Sequence, residues 1–257
     1  MESIILAAGM GKRLLPLTKK VPKCMINFLD KSLLEYQVEV LKKYNFKQIN
    51  VVSGYLENKI TIPFVNKISN KNYSNTNMVY SLFCAISKIG CDEDLLITYG
   101  DIIYEEDVIN KILKFDAPIV ISADKNWKNY WGMRMKNILN DIESFKTCAN
   151  DRVSELGQKV SNLQEVNGQF IGIIKIKRKY IKNLVLHWQE ILSKGHLKNI
   201  KSEKIYMTDF LQYLINKKVE IFASFINSGW LEFDTIDDFN LYNKLVIEKK
   251  LNKFYNV

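Results

Sequence analysis

Apolar positions along this chain recur with two different periods. Short, nearly continuous apolar runs read as buried strands: Ser3 to Ala8, Ile49 to Val52, Leu95 to Thr98 and Ile119 to Ala123. Between them the spacing turns helical. Leu34, Val38 and Leu41 share a face ahead of Lys42 and Lys43, cations that suit a helix C-terminus. Met78, Leu82, Ala85, Ile86 and Ile89 form a stripe over residues 76–89, and residues 105–115 read as a further helix. Strand and helix in alternation predict a parallel sheet with helices on both faces and a ligand at the carboxyl ends of the strands. From about Lys125 to Gly168 the alternation gives way to short strand-like pieces, Tyr130 to Met135, Asp141 to Phe145 and Arg152 to Leu156, which predict a small antiparallel insert. Phe170 to Ile176 then returns as a strand. Helices near 178–194 and 207–217, a strand from Val219 to Ala223 and a helix from about Ile236 to Lys250 close the chain.

Composition narrows the class. A chain of 257 residues, 47% apolar and 25% charged, can bury a large core as a globular protein. Its apolar runs are too short to span a bilayer. No charged n-region or cleavage site opens the chain, and Cys24, Cys84, Cys91 and Cys148 show no Cys-x-x-Cys pairing, so reduced thiols and a cytoplasmic location are expected. His187 and His196 are too few for a soft metal site. A net charge of +9 raises nucleic-acid or membrane-surface binding. Only four of the 37 cations are Arg, however, and no basic cluster is interleaved with aromatics, so neither partner is expected. A small polyanionic substrate accounts for a basic cleft equally well.

The stretch that carries chemistry is Leu6-Ala7-Ala8-Gly9-Met10-Gly11-Lys12-Arg13-Leu14, which ends the first strand in a glycine turn. Gly9 and Gly11 lack the Cβ atoms that would hold a phosphate away. Successive N–H groups there can form an anion-binding concavity, and Arg13 can fork onto phosphate oxygens. A Walker A loop needs Ser or Thr after Gly-Lys, where this chain has Arg13, and the dinucleotide fingerprint needs a third glycine, where it has Leu14. A second candidate is Asp101, after the apolar strand and Gly100: a carboxylate at a strand's end can hold Mg²⁺ together with substrate phosphates, or serve as an N-cap or Asx turn.

The ordered pair of this glycine turn and Pro22-Lys23 resembles the signature of the nucleotidyltransferase family, which joins nucleoside triphosphates to phosphorylated small molecules. The resemblance implies a three-layer α/β/α sandwich around a mixed, largely parallel sheet with the small antiparallel insert. Residues 1–257 would be a single domain, 1–124 its nucleotide-binding part and 125–257 its acceptor-binding part. It implies that Lys23 neutralises phosphate during transfer, that Arg13 lies nearer the leaving pyrophosphate, and that Asp234, in Phe233-Asp234-Thr235-Ile236-Asp237-Asp238, is a second metal ligand beside Asp101. Thr235 and Asp238 approximate a capping box, so capping is the other use of these acids.

Within the family the chain is most similar to cytidylyltransferases. Asn77 and Ser81, one helical turn apart, match a segment in which the Ser approaches the pyrimidine, although the Asn can equally cap its helix. Gly54-Tyr55 matches a pair that flanks the nucleotide. The nucleotide set is therefore Leu6 to Arg13, Lys23, Gly54, Tyr55, Asn77, Ser81 and Gly100. For the acceptor the candidates are Trp131, Glu165, Lys175, Trp230 and Glu232. Aromatics in the insert, Trp127, Tyr130 and Trp131, can cage a quaternary ammonium or simply pack. The implied reaction is Mg²⁺-dependent, with Mn²⁺ as a substitute. It transfers CMP from CTP to a phosphorylated small molecule, L-glutamine phosphate first and phosphocholine or a sugar 1-phosphate after it, as in capsular phosphoramidate biosynthesis. Nucleotide sensing without turnover is the rival from another class.

Overall fold

The computed structural model describes residues 1–256. β1 (Glu2–Leu6) is buried along its whole length and leads into the glycine turn. Three short 3₁₀ turns, Lys12–Leu14, Leu17–Lys19 and Lys23–Met25, carry the chain to a two-residue hairpin, β2 (Asn27–Phe28) with β3 (Lys31–Ser32). α1 (Leu33–Lys42) starts there because Ser32 and Glu35 form a capping box, with the Glu35 carboxylate accepting from the Ser32 N–H at 2.7 Å. β4 (Ile49–Ser53), β5 (Asn66–Ser69), α2 (Met78–Ile89), β6 (Leu95–Tyr99), β7 (Ile102–Tyr104), α3 (Glu106–Lys114) and β8 (Ile119–Asp124) follow. The second half comprises α4 (Trp127–Arg134), the pair β9 (Glu143–Thr147) and β10 (Val153–Lys159), β11 (Gln169–Ile176), α5 (Arg178–Lys194), a minor pair β12 (His196–Leu197) and β13 (Ile200–Lys201), α6 (Met207–Asn216), β14 (Ile221–Ile226), β15 (Trp230–Glu232) and α7 (Ile236–Ile247).

Seven strands form the central sheet in the order β14-β8-β11-β6-β1-β4-β5. Every neighbouring pair is parallel except those of β11, which runs antiparallel to both β6 and β8. The sheet is thus mixed and largely parallel, with β1, β4 and β8 buried on both faces as sandwiched strands require. β9 and β10 supply the antiparallel insert.

Two expectations need correction. Tyr130 to Met135 is not strand-like: Tyr130 to Arg134 belong to α4 and Met135 caps it, and Trp127, Tyr130 and Trp131 are buried at helical spacing, Tyr130 against Trp230, Phe254 and Tyr242 and Trp131 against Trp230. Three aromatics in eight residues favour a strand by propensity, and packing overrides that preference. The closing helix stops at Ile247 rather than Lys250. The β7–β15 ladder has no counterpart in the hydrophobic pattern of the sequence. It is antiparallel, pairs Ile102 with Glu232, and continues into a bond from the Phe233 N–H to the Asp101 carbonyl at 2.9 Å. That ladder brings Asp234 beside Asp101.

Candidate active site

β1, β4 and β6 are parallel neighbours, so the loops after them emerge on one edge of the sheet. They approach one another closely. A Cβ on Gly100 would stand 2.8 Å from the Leu6 carbonyl and the Ala7 Cβ, and one on Gly54 would stand 2.6 Å from Tyr73. Gly11 has φ +59°, the left-handed region that glycine adopts without strain. Its carbonyl accepts from the Thr18 hydroxyl at 3.0 Å, which fixes the turn. Among the described residues, nothing accepts a hydrogen bond from the N–H groups of Gly9, Met10, Gly11 or Lys12. A Cβ on Gly9 would meet no atom within 4 Å, so the turn is open at that residue, and successive unpaired N–H groups of this kind can take an anion.

Across the cleft Lys23 joins the two acids. Its Nζ donates to Asp101 Oδ2 at 2.8 Å and to Asp234 Oδ1 at 3.2 Å. Arg13 Nη1 pairs with Asp234 Oδ2 at 2.5 Å. Burial works against the Lys23 charge, but Asp101 and Asp234 together outweigh it and hold its pKa above the ordinary value. Gln37, buried in α1, fixes the turn that bears Asp101 by donating to the carbonyls of Tyr99 (2.9 Å) and Ile102 (2.8 Å) and accepting from Thr98 (2.8 Å). Cys24, next to Lys23, is an inert neighbour, since burial pushes its thiol up to about 12.

Two connected hollows share this centre. One, of about 320 Å³, is lined by Leu6, Ala7, Gly9, Gly11, Lys12, Arg13, Lys23, Asn77, Tyr99, Gly100, Asp101 and Asp234 among others. The other, of about 280 Å³, shares Arg13, Asp101 and Asp234 and extends to Trp131, Asp141, Glu143, Ser144, Gln169, Tyr206, Thr208 and Glu232. The two hollows meet at the two acids.

Asp101 Oδ1 is buried and has no hydrogen-bond partner. An orphaned carboxylate oxygen is costly unless something engages it. Among the described residues no three His, Cys, Asp or Glu side chains form a cage. A pair of carboxylates without a complete cage suits Mg²⁺, which keeps waters and takes substrate phosphates as further ligands. The donor set therefore fits the ion.

A profile of the MobA-like NTP transferase domain matches residues 3–155. The chain is 37% identical to the CTP:phosphoglutamine cytidylyltransferase of Campylobacter jejuni, over 93% of this chain and 97% of that protein. The chain belongs to the NTP transferase family. It is also 38% identical to the choline-phosphate cytidylyltransferase of Streptococcus pneumoniae over 32% of this chain and 38% of that protein. In fold, it is similar to the solved CTP:phosphocholine cytidylyltransferase of Streptococcus pneumoniae, with TM-score 0.74, 18% identity, and coverage of 95% of this chain and 98% of that one.

Within this nucleotidyltransferase the residues named from the sequence fall into distinct groups. The glycine turn, Lys23, Gly100, Asp101 and Asp234 converge. Asn77 reaches the cleft, and its Oδ1 also accepts from the Met78 N–H at 2.8 Å as the cap of α2. Ala8 and Met10 stand in the turn but do not line the hollow; the Ala8 carbonyl instead accepts from the Tyr55 N–H at 3.1 Å. Gly54 and Tyr55 buttress the turn from behind, Tyr55 donating to the Thr18 carbonyl at 3.1 Å. Ser81 is 5% exposed, accepts from Asn70 at 3.0 Å and lines neither hollow.

For the acceptor, Trp131 and Glu232 line the second hollow and three candidates do not. Glu165 is exposed and pairs with Lys146 at 3.0 Å. Trp230 is buried, with its indole N–H on Asp124 at 3.0 Å. Lys175 is 2% exposed and donates to the carbonyls of Leu113 (2.9 Å) and Phe115, which closes the C-terminus of α3. Lys175→Met is therefore expected to lower stability by about 1–3 kcal/mol, through two unpaired carbonyls, and to leave the acceptor KM unchanged. Thermal melts and steady-state kinetics check it. Tyr99, Ser144, Asp141, Glu143 and Arg134 were not assigned from the sequence. Only Tyr99, adjacent to Gly100-Asp101, had a local signal.

Proposed function

We propose that this nucleotidyltransferase is a cytidylyltransferase that transfers CMP from CTP to a phosphorylated small molecule, with L-glutamine phosphate as the first acceptor and CDP-L-glutamine as the product. The observation that carries the chemistry is the meeting of a free row of turn amides with Lys23, Asp101 and Asp234. What supports the choice of CTP and acceptor is the similarity along nearly the whole chain to a protein named for that pair. A cytoplasmic reaction serving capsular phosphoramidate biosynthesis is the setting that this reading suits. No helix among the described residues is long and apolar enough to cross a membrane.

In this reading the amides of Gly9 to Lys12 hold the triphosphate, and Arg13 neutralises the β- and γ-phosphates. Lys23 stands between the acids, where it offsets the charge that gathers as two phosphates approach. An oxygen of the acceptor phosphate forms a bond to the α-phosphorus as the bond from that phosphorus to the bridging oxygen breaks, and pyrophosphate leaves with the electron pair. No proton need move. Asp101 and Asp234 would hold Mg²⁺ or Mn²⁺, which supplies further charge neutralisation on the phosphates. Positioning of two anions is the main work.

The hollow beyond the acids bears Asp141 and Glu143, with no cation paired to either among the described residues. That lining suits an acceptor with an ammonium group, and it keeps phosphocholine as the second reading. Pyrophosphate release is to be followed with CTP, UTP and dTTP against L-glutamine phosphate, phosphocholine and glucose 1-phosphate. CTP with L-glutamine phosphate is expected to give the highest kcat/KM. Turnover confined to a sugar phosphate would overturn this proposal, and none under any pairing would favour nucleotide sensing.

A further inference from the structure

Behind the acids lies an arginine that lines neither hollow. The Arg134 side chain is 1% exposed. Its guanidinium packs over the rings of Tyr130 and Trp131, 5.2 and 5.6 Å from their centroids. One side forks onto Asp238, Nε to Oδ1 at 2.8 Å and Nη2 to Oδ2 at 3.1 Å. The other side donates from Nη1 to Glu232 Oε2 at 2.8 Å. Asp234 lies between the two residues so held.

The fork reaches Asp234 through the backbone. Asp238 Oδ2 accepts from the N–H groups of Asp234 (3.2 Å) and Thr235 (2.9 Å) and from the Thr235 hydroxyl (3.0 Å). On the other flank, Tyr130 accepts from the Glu232 N–H at 2.7 Å, and Tyr242 donates to the Glu232 carbonyl at 2.9 Å. Without the fork only Oδ2 would be held, and the carboxylate could pivot about that oxygen on its soft terminal torsion. With both oxygens engaged it cannot, and the loop from Glu232 to Asp238 is pinned at each end. A cap alone does not need this: Ser32 and Glu35 build the same box at α1, and no arginine appears among their hydrogen bonds. A buried guanidinium is also a poor source of stability, since apolar groups of similar volume often do as well.

We propose that Arg134 is a positioning residue, acting through Asp238, that sets Asp234 at the geometry needed to bind the divalent ion. The proposal rests on the reading of Asp234 as an ion ligand. Lysine keeps the charge but cannot fork, so Arg134→Lys isolates the geometry from the charge.

The test measures Mn²⁺ binding by electron paramagnetic resonance, on the full chain with CTP present and no acceptor. Arg134→Lys and Asp238→Asn are each expected to weaken Mn²⁺ binding about 10- to 100-fold, as loss of an outer partner of a metal ligand does. CTP affinity without metal should stay unchanged, and most of kcat should return at raised Mn²⁺. The double variant should bind no more weakly than the weaker single, because the two residues act as one unit. A folded Arg134→Lys protein that binds Mn²⁺ like the wild type overturns the proposal; if that variant does not fold, Asp238→Asn decides by the same criterion. Asp234→Asn separates the two readings: if it too binds Mn²⁺ like the wild type, the ligand assignment fails, whereas its loss of binding beside an unaffected Arg134→Lys defeats the positioning role alone.

Discussion

Asp101→Asn and Asp234→Asn are each expected to cut pyrophosphate release by at least about 10²–10³-fold, the cost of removing one preorganised electrostatic partner at a reacting centre. Both acids stand on the same lysine, at 2.8 and 3.2 Å, although 132 residues lie between them in the chain. Asparagine preserves shape and still accepts from Lys23, so the fold should persist and the loss should fall on ion binding and turnover. Asp101 should show it most plainly, because its Oδ1 is the buried oxygen without a partner. Turnover assays across a Mg²⁺ series, with thermal melts as a check of folding, measure this. Near wild-type turnover at saturating Mg²⁺ in either variant would remove that acid from the ligand set.

Lys23→Met is expected to give the opposite sign in ion binding. Turnover should fall by about 10²–10³-fold, because the charge beside the transferring phosphate is gone. Ion affinity should rise, because an ammonium no longer competes for the two carboxylates. Stability in metal-free buffer should drop. A fully buried pair that loses one partner costs about 3–5 kcal/mol. With side chains here 15–24% exposed, solvent takes part of that cost away. Mg²⁺ should then restore the Tm. A variant with unchanged ion affinity, and a Tm indifferent to Mg²⁺, would mean that Lys23 does not share the acids with the ion.

How much of this could be read from the sequence follows from how local each feature is. The glycine turn was legible because its parts are consecutive: a buried strand, two glycines and two cations specify their own geometry. Asp101 was legible for the same reason, at the end of β6. Asp234 was legible only through family resemblance, since its nearness to Asp101 depends on the β7–β15 ladder, and three-residue strands leave too little period to detect. β5 escaped because only Ile68 of its four residues is buried. Lys175 misled because a lysine in an apolar strand resembles a ligand-seeking charge, while its partners Leu113 and Phe115 lie about sixty residues away, at the end of α3. Arg134 had no local sign at all. Its partners Glu232 and Asp238 follow roughly a hundred residues later, and only folding brings α4 onto the start of α7.

The most direct test is a crystal structure of the protein with CTP and Mg²⁺. The β- and γ-phosphates are expected against the amides of Gly9 to Lys12, with the ion shared by Asp101 and Asp234. Phosphates bound away from that turn, or an ion held by neither acid, would contradict this reading.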